Sequence, residues 1–415
     1  MLETPLFSKF SNKFYDIMLI TLVTIMYIAL CAEADMYVPA FPQMVNYFGV
    51  AENQIQLILS LNFAGLCIAG LATGPLSDSY GRRKILLGGL LLFVISSTGC
   101  VYTSDFTSML FWRLLQGIAA SVPMVIGASA FFDKYSAEKA GQLIGMCNGV
   151  IGASMAGAPI VGAGLSQIFN WRASFIVILA FAIVSFLGVL LFMEETLPKQ
   201  KRKPFHLIAI IKDFGKLSKS FKFMCYNVIS NFPFTAIVVY IANLSIIFMN
   251  HLGIDLKAFS YYQATTMGTF IIFSLLSIKL IGKKGIDYTK NLGSIVALIG
   301  SIGLFGIALI DKTNVNLICI SMAFVAGGGS MMAGTFGIKA LSIFPEMNGT
   351  SMAMMTAVRQ LMASGLVILS EILFDGTIIP IALIIFGYAV FATFCYALLC
   401  FTSSPLRKLD PAKNT

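Results

Sequence analysis

Polar positions in this chain fall in short clusters, and between the clusters apolar residues run on for about 20 positions at a time, the length a helix needs to cross a bilayer. Twelve such runs recur with no soluble domain between them, beginning near Ile17, Ile55, Ile85, Thr107, Ala140, Ser174, Phe223, Ser260, Asn291, Val315, Thr350 and Thr377. Each is twice the length of a barrel strand, and a backbone in hydrocarbon must satisfy its amides within its own segment, so the runs predict helices. The expected fold class is therefore an all-α integral membrane protein with twelve transmembrane helices.

The longest polar stretch, Glu194 to Lys222, divides the runs six and six. The domain expectation is an N-terminal bundle over 1–193, a cytoplasmic linker over 194–222, a C-terminal bundle over 223–402 and a cytoplasmic tail over 403–415. Within the linker, Phe205, Ile208, Ile211 and Phe214 line one face of a helix lying on the membrane surface, its lysines toward lipid phosphate.

Composition supports the same solvent. Of 415 residues, 58% are hydrophobic and 11% charged, against roughly 25% charged in a soluble domain. Lys9, Lys13, the apolar stretch Ile17 to Leu30 and the small residues ending at Ala34 imitate a signal peptide, but its removal would leave eleven spans. The segment is read as the first span.

Cations orient the chain. With the N-terminus inside, Arg82, Arg83, Lys84, Lys134, Lys139, the run Lys199 to Lys203, Lys212 to Lys222, Lys283, Lys284, Lys290, Arg407 and Lys408 all fall in cytoplasmic segments. The opposite loops carry only Arg172, Lys257 and Lys312. Both termini are expected inside, in an inner or plasma membrane, and this asymmetry accounts for the net charge of +9 without a nucleic-acid partner. The eight cysteines have no paired spacing, His206 and His251 lie far apart, and no phosphate-binding loop is present. Neither a metal, a disulfide framework, ATP coupling nor an enzyme is indicated, and no cofactor is expected.

One cluster is more than an anchor. "GPLSDSYGRRK", between the second and third spans, sets Gly74, Leu76, Asp78, Gly81, Arg82 and Arg83 in the spacing G-x-L-x-D-x-x-G-R-[RK]. The chain here resembles the major facilitator superfamily, and the resemblance implies two pseudo-symmetric six-helix bundles with this turn as a conformational latch. Asp133, in the next cytoplasmic turn, is the expected partner of Arg82. "RLLQGIAAS" from Arg113 resembles the family's fourth-helix motif. "GASMAGAPIVGAG" resembles its fifth-helix antiporter motif through Gly152, Gly157, Pro159 and Gly162, with Ala158 and Ala163 in place of glycines. Small residues there let the fifth helix press on its neighbour in the other half. "NWRASF", Asn170 to Phe175, resembles a loop sequence of drug exporters, and "ADMYVPAFP", Ala34 to Pro42, is similar to the first-helix ending of bacterial bicyclomycin/chloramphenicol-type multidrug exporters. The second half matches by length and hydropathy alone; "GKKGIDYTKN", Gly282 to Asn291, is a worn copy of the latch turn.

Charges inside spans mark the chemistry, because each is costly there. They are Glu33 and Asp35 in the first span, Arg113 in the fourth, Lys339 in the tenth, and Arg359 and Glu371 in the eleventh. Asp35 is the expected proton carrier, sharing a cavity with Arg113. Glu33, about 200° away round the helix, is assigned to the outer water interface while staying a coupling candidate. Some exporters of this type carry another acid deeper in the first helix, where Tyr27 stands here, so the proton count stays open. Lys339 is read as snorkelling to the cytoplasmic face. Arg359 is too deep for that and is suited to an anionic substrate. Tyr37, Asn148, Asn227, Asn231 and Gln360 complete the expected substrate pocket with Asp35, Arg113 and Arg359, and Phe232, Phe234, Tyr240 and Tyr261 offer aromatic surface.

The resulting expectation is a monomeric proton-coupled antiporter that exports small organic molecules across the lipid bilayer by alternating access. Export of one endogenous anion, such as a carboxylate siderophore, and a non-transporting membrane sensor are the alternatives.

Overall fold

The computed structural model describes residues 12–202, 206–344 and 347–403. The membrane-length helices are α1 (Asn12–Asp35), α2 (Leu57–Tyr80), α3 (Arg82–Tyr102), α4 (Phe106–Lys134), α5 (Ala137–Ile168), α6 (Arg172–Phe192) and α7 (Phe221–Ser245). A long element, Leu256–Ile310, leaves helical geometry at Gly285 and so forms two helices, α8 over 256–284 and α9 over 286–310. α10 (Val315–Leu341), α11 (Asn348–Leu373) and α12 (Ile379–Ser403) complete the expected twelve, and the described residues hold no strand.

Local chemistry marks where each helix starts. Asp105, Ser136, Ser220, Asp255 and Asn314 each cap a helix, their side chains accepting the amides of Ser108, Lys139, Phe223, Ala258 and Leu317. Each cap satisfies a donor that the helix itself leaves open. The chain turns between α2 and α3 on one residue, Gly81, with φ +98, and between α8 and α9 on Gly285, with φ +84. Side chains rarely tolerate such angles, so glycine is what makes both one-residue turns possible. The worn copy has thus kept the turn while losing the acid: Gly282 stands where Asp78 does, and Asp287 now holds Lys290 at 2.9 Å and Lys339 at 3.4 Å. Lys339 accordingly lies at the Arg82 end of the molecule.

Within the bilayer, lipid is as apolar as leucine, so helices associate through close approach. α2 and α4 meet at Gly65 and Gly117, where an added Cβ would strike the backbone carbonyls of Leu114 and Asn62. α9 and α10 meet in the same way at Gly293 and Gly328. The polar linker carries a helix, Leu207–Lys219, with Ile208 and Ile211 exposed and Leu217 turned in against Phe223 and Ala340. Phe205, placed on the same face by the sequence, and the tail from 404 onward lie outside the described residues.

Replacing Gly117 by alanine should lower stability by about 1–3 kcal/mol through overpacking against the Asn62 backbone. Gly70→Ala, whose Cβ meets nothing within 4 Å, is expected to leave thermal unfolding in detergent unchanged.

Candidate functional site

Arg113 is wholly buried in α4 and anchors a polar cluster in the N-terminal half. Its Nη1 pairs with Glu33 Oε1 at 2.8 Å, its Nη2 donates to the Tyr37 hydroxyl at 2.7 Å, and Gln116 Oε1 also accepts from it. Gln116 in turn donates to Ser97 Oγ at 2.8 Å. Asn62 donates to Glu33 and, at 3.3 Å, to the Arg113 carbonyl. The guanidinium lies 4.4 Å over the Tyr37 ring, and that ring stacks on Phe175. One buried cation thereby ties α1, α2, α3 and α4 together.

This corrects the expected pairing. Glu33, not Asp35, holds Arg113, and Glu33 is 1% exposed where a water interface was expected. Tyr37 is closed inside this cluster with no exposed surface and does not line an open pocket. The cause is the path of the chain after α1. Instead of leaving the membrane, it makes a turn at Val38–Ala40 and a short helix, Phe41–Phe48, and residues 36–41 are all buried. Asp35 is buried as well, and its Oδ2 has no hydrogen-bond partner. Cys31, one helical turn earlier on the same face, reaches the Ile151 carbonyl, which sets Asp35 toward α5 and away from Arg113.

In the C-terminal half, Asn231 donates to Asn227 Oδ1 at 2.7 Å and to the Met355 carbonyl at 3.3 Å, joining α7 to α11. Gln360 Oε1 and Arg359 Nε are buried without partners, and the Arg359 guanidinium lies 4.8 Å over Phe234. Of the aromatic candidates, Phe234 alone is seen against the other half, edge-on to Phe63. Phe232 packs on Tyr388, Tyr240 bonds Cys319 inside the half, and Tyr261 is exposed. Asn148 and Gly152 sit in α5, and their surroundings lie outside the described residues.

At the turn between α2 and α3, Arg82 meets Asp78 at 2.6 Å, Asp133 at 2.9 Å and Ser77 Oγ at 2.6 Å. The amides of Arg82 and Arg83, at the N-terminus of α3, donate to the carboxylate of Glu195 at 2.9 and 3.3 Å. An anion belongs there, where helix amides and dipole converge. Arg83 is buried and donates to the carbonyls of Met193 and Leu190. A side chain at Gly81 would strike Glu195 and Arg202, whereas Gly74 has open space around it. Among the described residues the partners of the Arg82 guanidinium, Asp78, Asp133 and Ser77, belong to the N-terminal half.

The opposite end is tied across the halves. Gln56 Nε2 donates to Asn243 Oδ1 at 2.6 Å, Asn243 Nδ2 to Ser370 Oγ at 3.0 Å, and Ser370 Oγ to Gln56 Oε1 at 3.0 Å. All three residues are fully buried. Beside them, Glu52 accepts from Asn250 at 2.6 Å and His251 at 2.7 Å, and Asn53 donates to the Glu371 carbonyl. Of these residues Glu371 alone was singled out from the sequence, as a charge inside a span; Gln56, Asn243, Ser370, Asn62, Gln116 and Glu195 were not. Uncharged polar residues inside apolar spans were the available signal.

A family model described as Major Facilitator Superfamily matches residues 23–367. The chain belongs to the Major Facilitator Superfamily. It is a multi-pass membrane transporter and not an enzyme. As superfamily fold it superposes on a bacterial homologue of the human lysosomal transporter Spinster, solved inward-facing and unoccupied, with a TM-score of 0.75, 15% identity and coverage of 97% of this chain and 100% of that one. It also superposes on the xylose transporter XylE from E. coli, partially occluded and inward open, with a TM-score of 0.72, 14% identity and coverage of 97% and 99%. Among curated relatives, a bicyclomycin resistance protein homolog of Haemophilus influenzae is 25% identical over 328 residues, 78% of this chain and 81% of the relative. The multidrug resistance protein MdtL of Shewanella oneidensis is 26% identical over 358 residues, 85% and 87% of the two chains.

In this superfamily member the fifth helix lies against the other half, along the Leu256–Ile310 element, as expected. Within its own half Gly162 also comes up to the Met36 carbonyl. Pro159 is buried beside it, and Gly157 has nothing within 4 Å.

Arg113→Met should cost about 3–5 kcal/mol by stranding Glu33, and the added change Glu33→Leu should recover most of it, read by thermal unfolding in detergent. Asn243→Ala removes the centre of the seal and should speed hydrogen exchange across 57–62 and 367–373 about tenfold, measured by mass spectrometry.

Proposed function

We propose that this transporter is a proton-coupled antiporter of the bacterial inner membrane that expels small organic molecules by alternating access, working as a monomer on the proton motive force. The names of the relatives support drug-like substrates. The distribution of Lys and Arg supports a cytoplasmic Arg82 end and cytoplasmic termini. On that orientation the Gln56–Asn243–Ser370 seal closes the external side, and the conformation is inward-facing. The Arg82 cluster acts as the latch, its ion pairs at present drawn within one half.

The observation that carries the reading is the pair of acids at the end of α1. Glu33 is balanced by Arg113, so its charge is held in place. Asp35 has a buried oxygen with no partner and no cation beside it among the described residues, so it is the acid free to exchange a proton. Substrate and proton then depend on each other by linkage: whatever the proton does to substrate affinity, substrate does to proton affinity in equal measure. Arg113 keeps a positioning role through Glu33.

The test uses purified protein in proteoliposomes with an imposed proton gradient and bicyclomycin or ethidium as probes. Asp35→Asn should bring uphill movement down to the level of empty vesicles while downhill exchange continues. Gradient-driven transport at the unmodified rate would reject Asp35 as the carrier, and the absence of any flux by the unmodified protein would favour a sensor.

A further inference from the structure

We infer that Arg359, with the Phe234–Phe63 pair, forms a recognition site for the carboxylate of an aromatic or amphiphilic anion in the central pathway. The inference rests on the reading that small organic molecules pass between the halves, and it specifies their chemistry.

Arg359 differs from the other arginines among the described residues. Arg82 and Arg113 hold carboxylates, Arg83 holds two carbonyls, Arg202 lies at 3.6 Å from Glu195, and Arg172 donates to the Tyr47 hydroxyl and to the carbonyls of Val101 and Thr103. Arg359 has a ring beneath it and no ion pair or hydrogen bond. A guanidinium left unpaired inside a membrane is costly, and one kept there marks a pathway or a ligand.

Helix geometry sets it on that pathway. Eleven residues separate Arg359 from Ser370, which returns to the same face of α11 within about 20° and places Arg359 roughly 16 Å from the seal. On α2, Phe63 follows Gln56 by seven residues and shares its face in the same way. The stripe that forms the seal thus continues toward the Arg82 end as Phe63 on α2 and Arg359 on α11, and Phe234 of α7, about 180° round its helix from Asn243, joins them by touching both. Met355, one turn further along α11, accepts from Asn231 of α7, so the α7–α11 junction is closed directly behind this point.

The chemistry follows from these groups. A guanidinium stacked on a ring keeps its N–H edge free, and its fork matches a planar carboxylate through two parallel hydrogen bonds. Phe234, partly exposed and backed by Phe63, offers an apolar face to the body of the ligand. Asn227 Nδ2 and Gln360 Oε1, buried and unpartnered on the same two helices, supply one donor and one acceptor for polar substituents.

The experiment measures binding by calorimetry to the full chain in nanodiscs of neutral phosphatidylcholine, with 2-naphthoate, its neutral carboxamide and a naphthylmethylammonium ion. The unmodified protein should bind naphthoate about tenfold or more tightly than the carboxamide, the worth of a charge-assisted hydrogen bond pair. Arg359→Gln should erase that preference while changing carboxamide affinity less than about threefold, and Arg359→Lys should retain part of it. Asp35→Asn should keep the preference, so a failure of proton coupling leaves this result readable. Equal affinity for acid and amide in the unmodified protein, tighter binding of the ammonium ion, a preference that survives Arg359→Gln, or parallel loss of all three ligands would overturn the site. Stoichiometric displacement of naphthoate by added phosphatidylglycerol would also overturn it, assigning Arg359 to a lipid headgroup.

Discussion

A full positive charge on Arg113, far from water on every side, is the constraint around which the N-terminal half is arranged. Such a charge persists in a medium of low dielectric only if an anion and several acceptors surround it. Glu33 supplies the anion, Tyr37 and Gln116 supply oxygens, and Asn62 secures Glu33 in turn. Because these groups come from separate helices, satisfying one charge sets the relative rotation of α1, α2 and α4. The glycines at 65 and 117 belong to the same arrangement, since they bring α2 close enough to α4 for Asn62 to reach both Glu33 and the Arg113 backbone.

That arrangement divides labour between two neighbouring acids. Glu33 is committed to structure by its cation. Asp35, on the other side of the helix, is left with an unpaired buried oxygen. The same logic of a charge with or without a partner separates Arg113 from Arg359. Among the described residues the Arg113–Glu33 pair is satisfied, while Asp35 in one half and Arg359 in the other keep spare capacity. Polar groups of that kind are what a transport cycle draws upon, while the satisfied pair keeps its shape.

The two ends of the molecule use different chemistry. At the Arg82 end a buried guanidinium pairs with two carboxylates that keep some exposure, Asp78 and Asp133. At the opposite end, the halves are joined by neutral amides and a hydroxyl, fully buried, in a closed triangle. Neutral groups separate without leaving a stranded charge, so a buried seal of this composition can open at moderate cost. The one-residue turns at Gly81 and Gly285 show how far the halves have diverged, since the backbone angle has survived where the acidic partner has not.

Much of the fold was legible along the chain because bilayer thickness acts on one dimension at a time. The runs opening at Thr107 and Val315 became helices opening at Phe106 and Val315, and the polar stretch between the sixth and seventh runs became a linker with a helix on it. The Gly, Asp and Arg spacing of the latch turn was equally local, and Arg82 lies against the expected Asp133. What the sequence left undecided was every choice that depends on rotation about a helix axis or on partners remote in sequence. Glu33 and Asp35 differ by two positions, and which of them meets Arg113 was settled by the chain folding back over the end of α1. Tyr37, expected at a pocket wall, was closed in by the same fold. The Gln56–Ser370 bond spans 314 positions, and no periodicity within either helix announces the other. Hydrophobicity dictates that a segment lies in the membrane, whereas only packing in three dimensions decides which of its polar atoms find a partner and which are left to find a ligand.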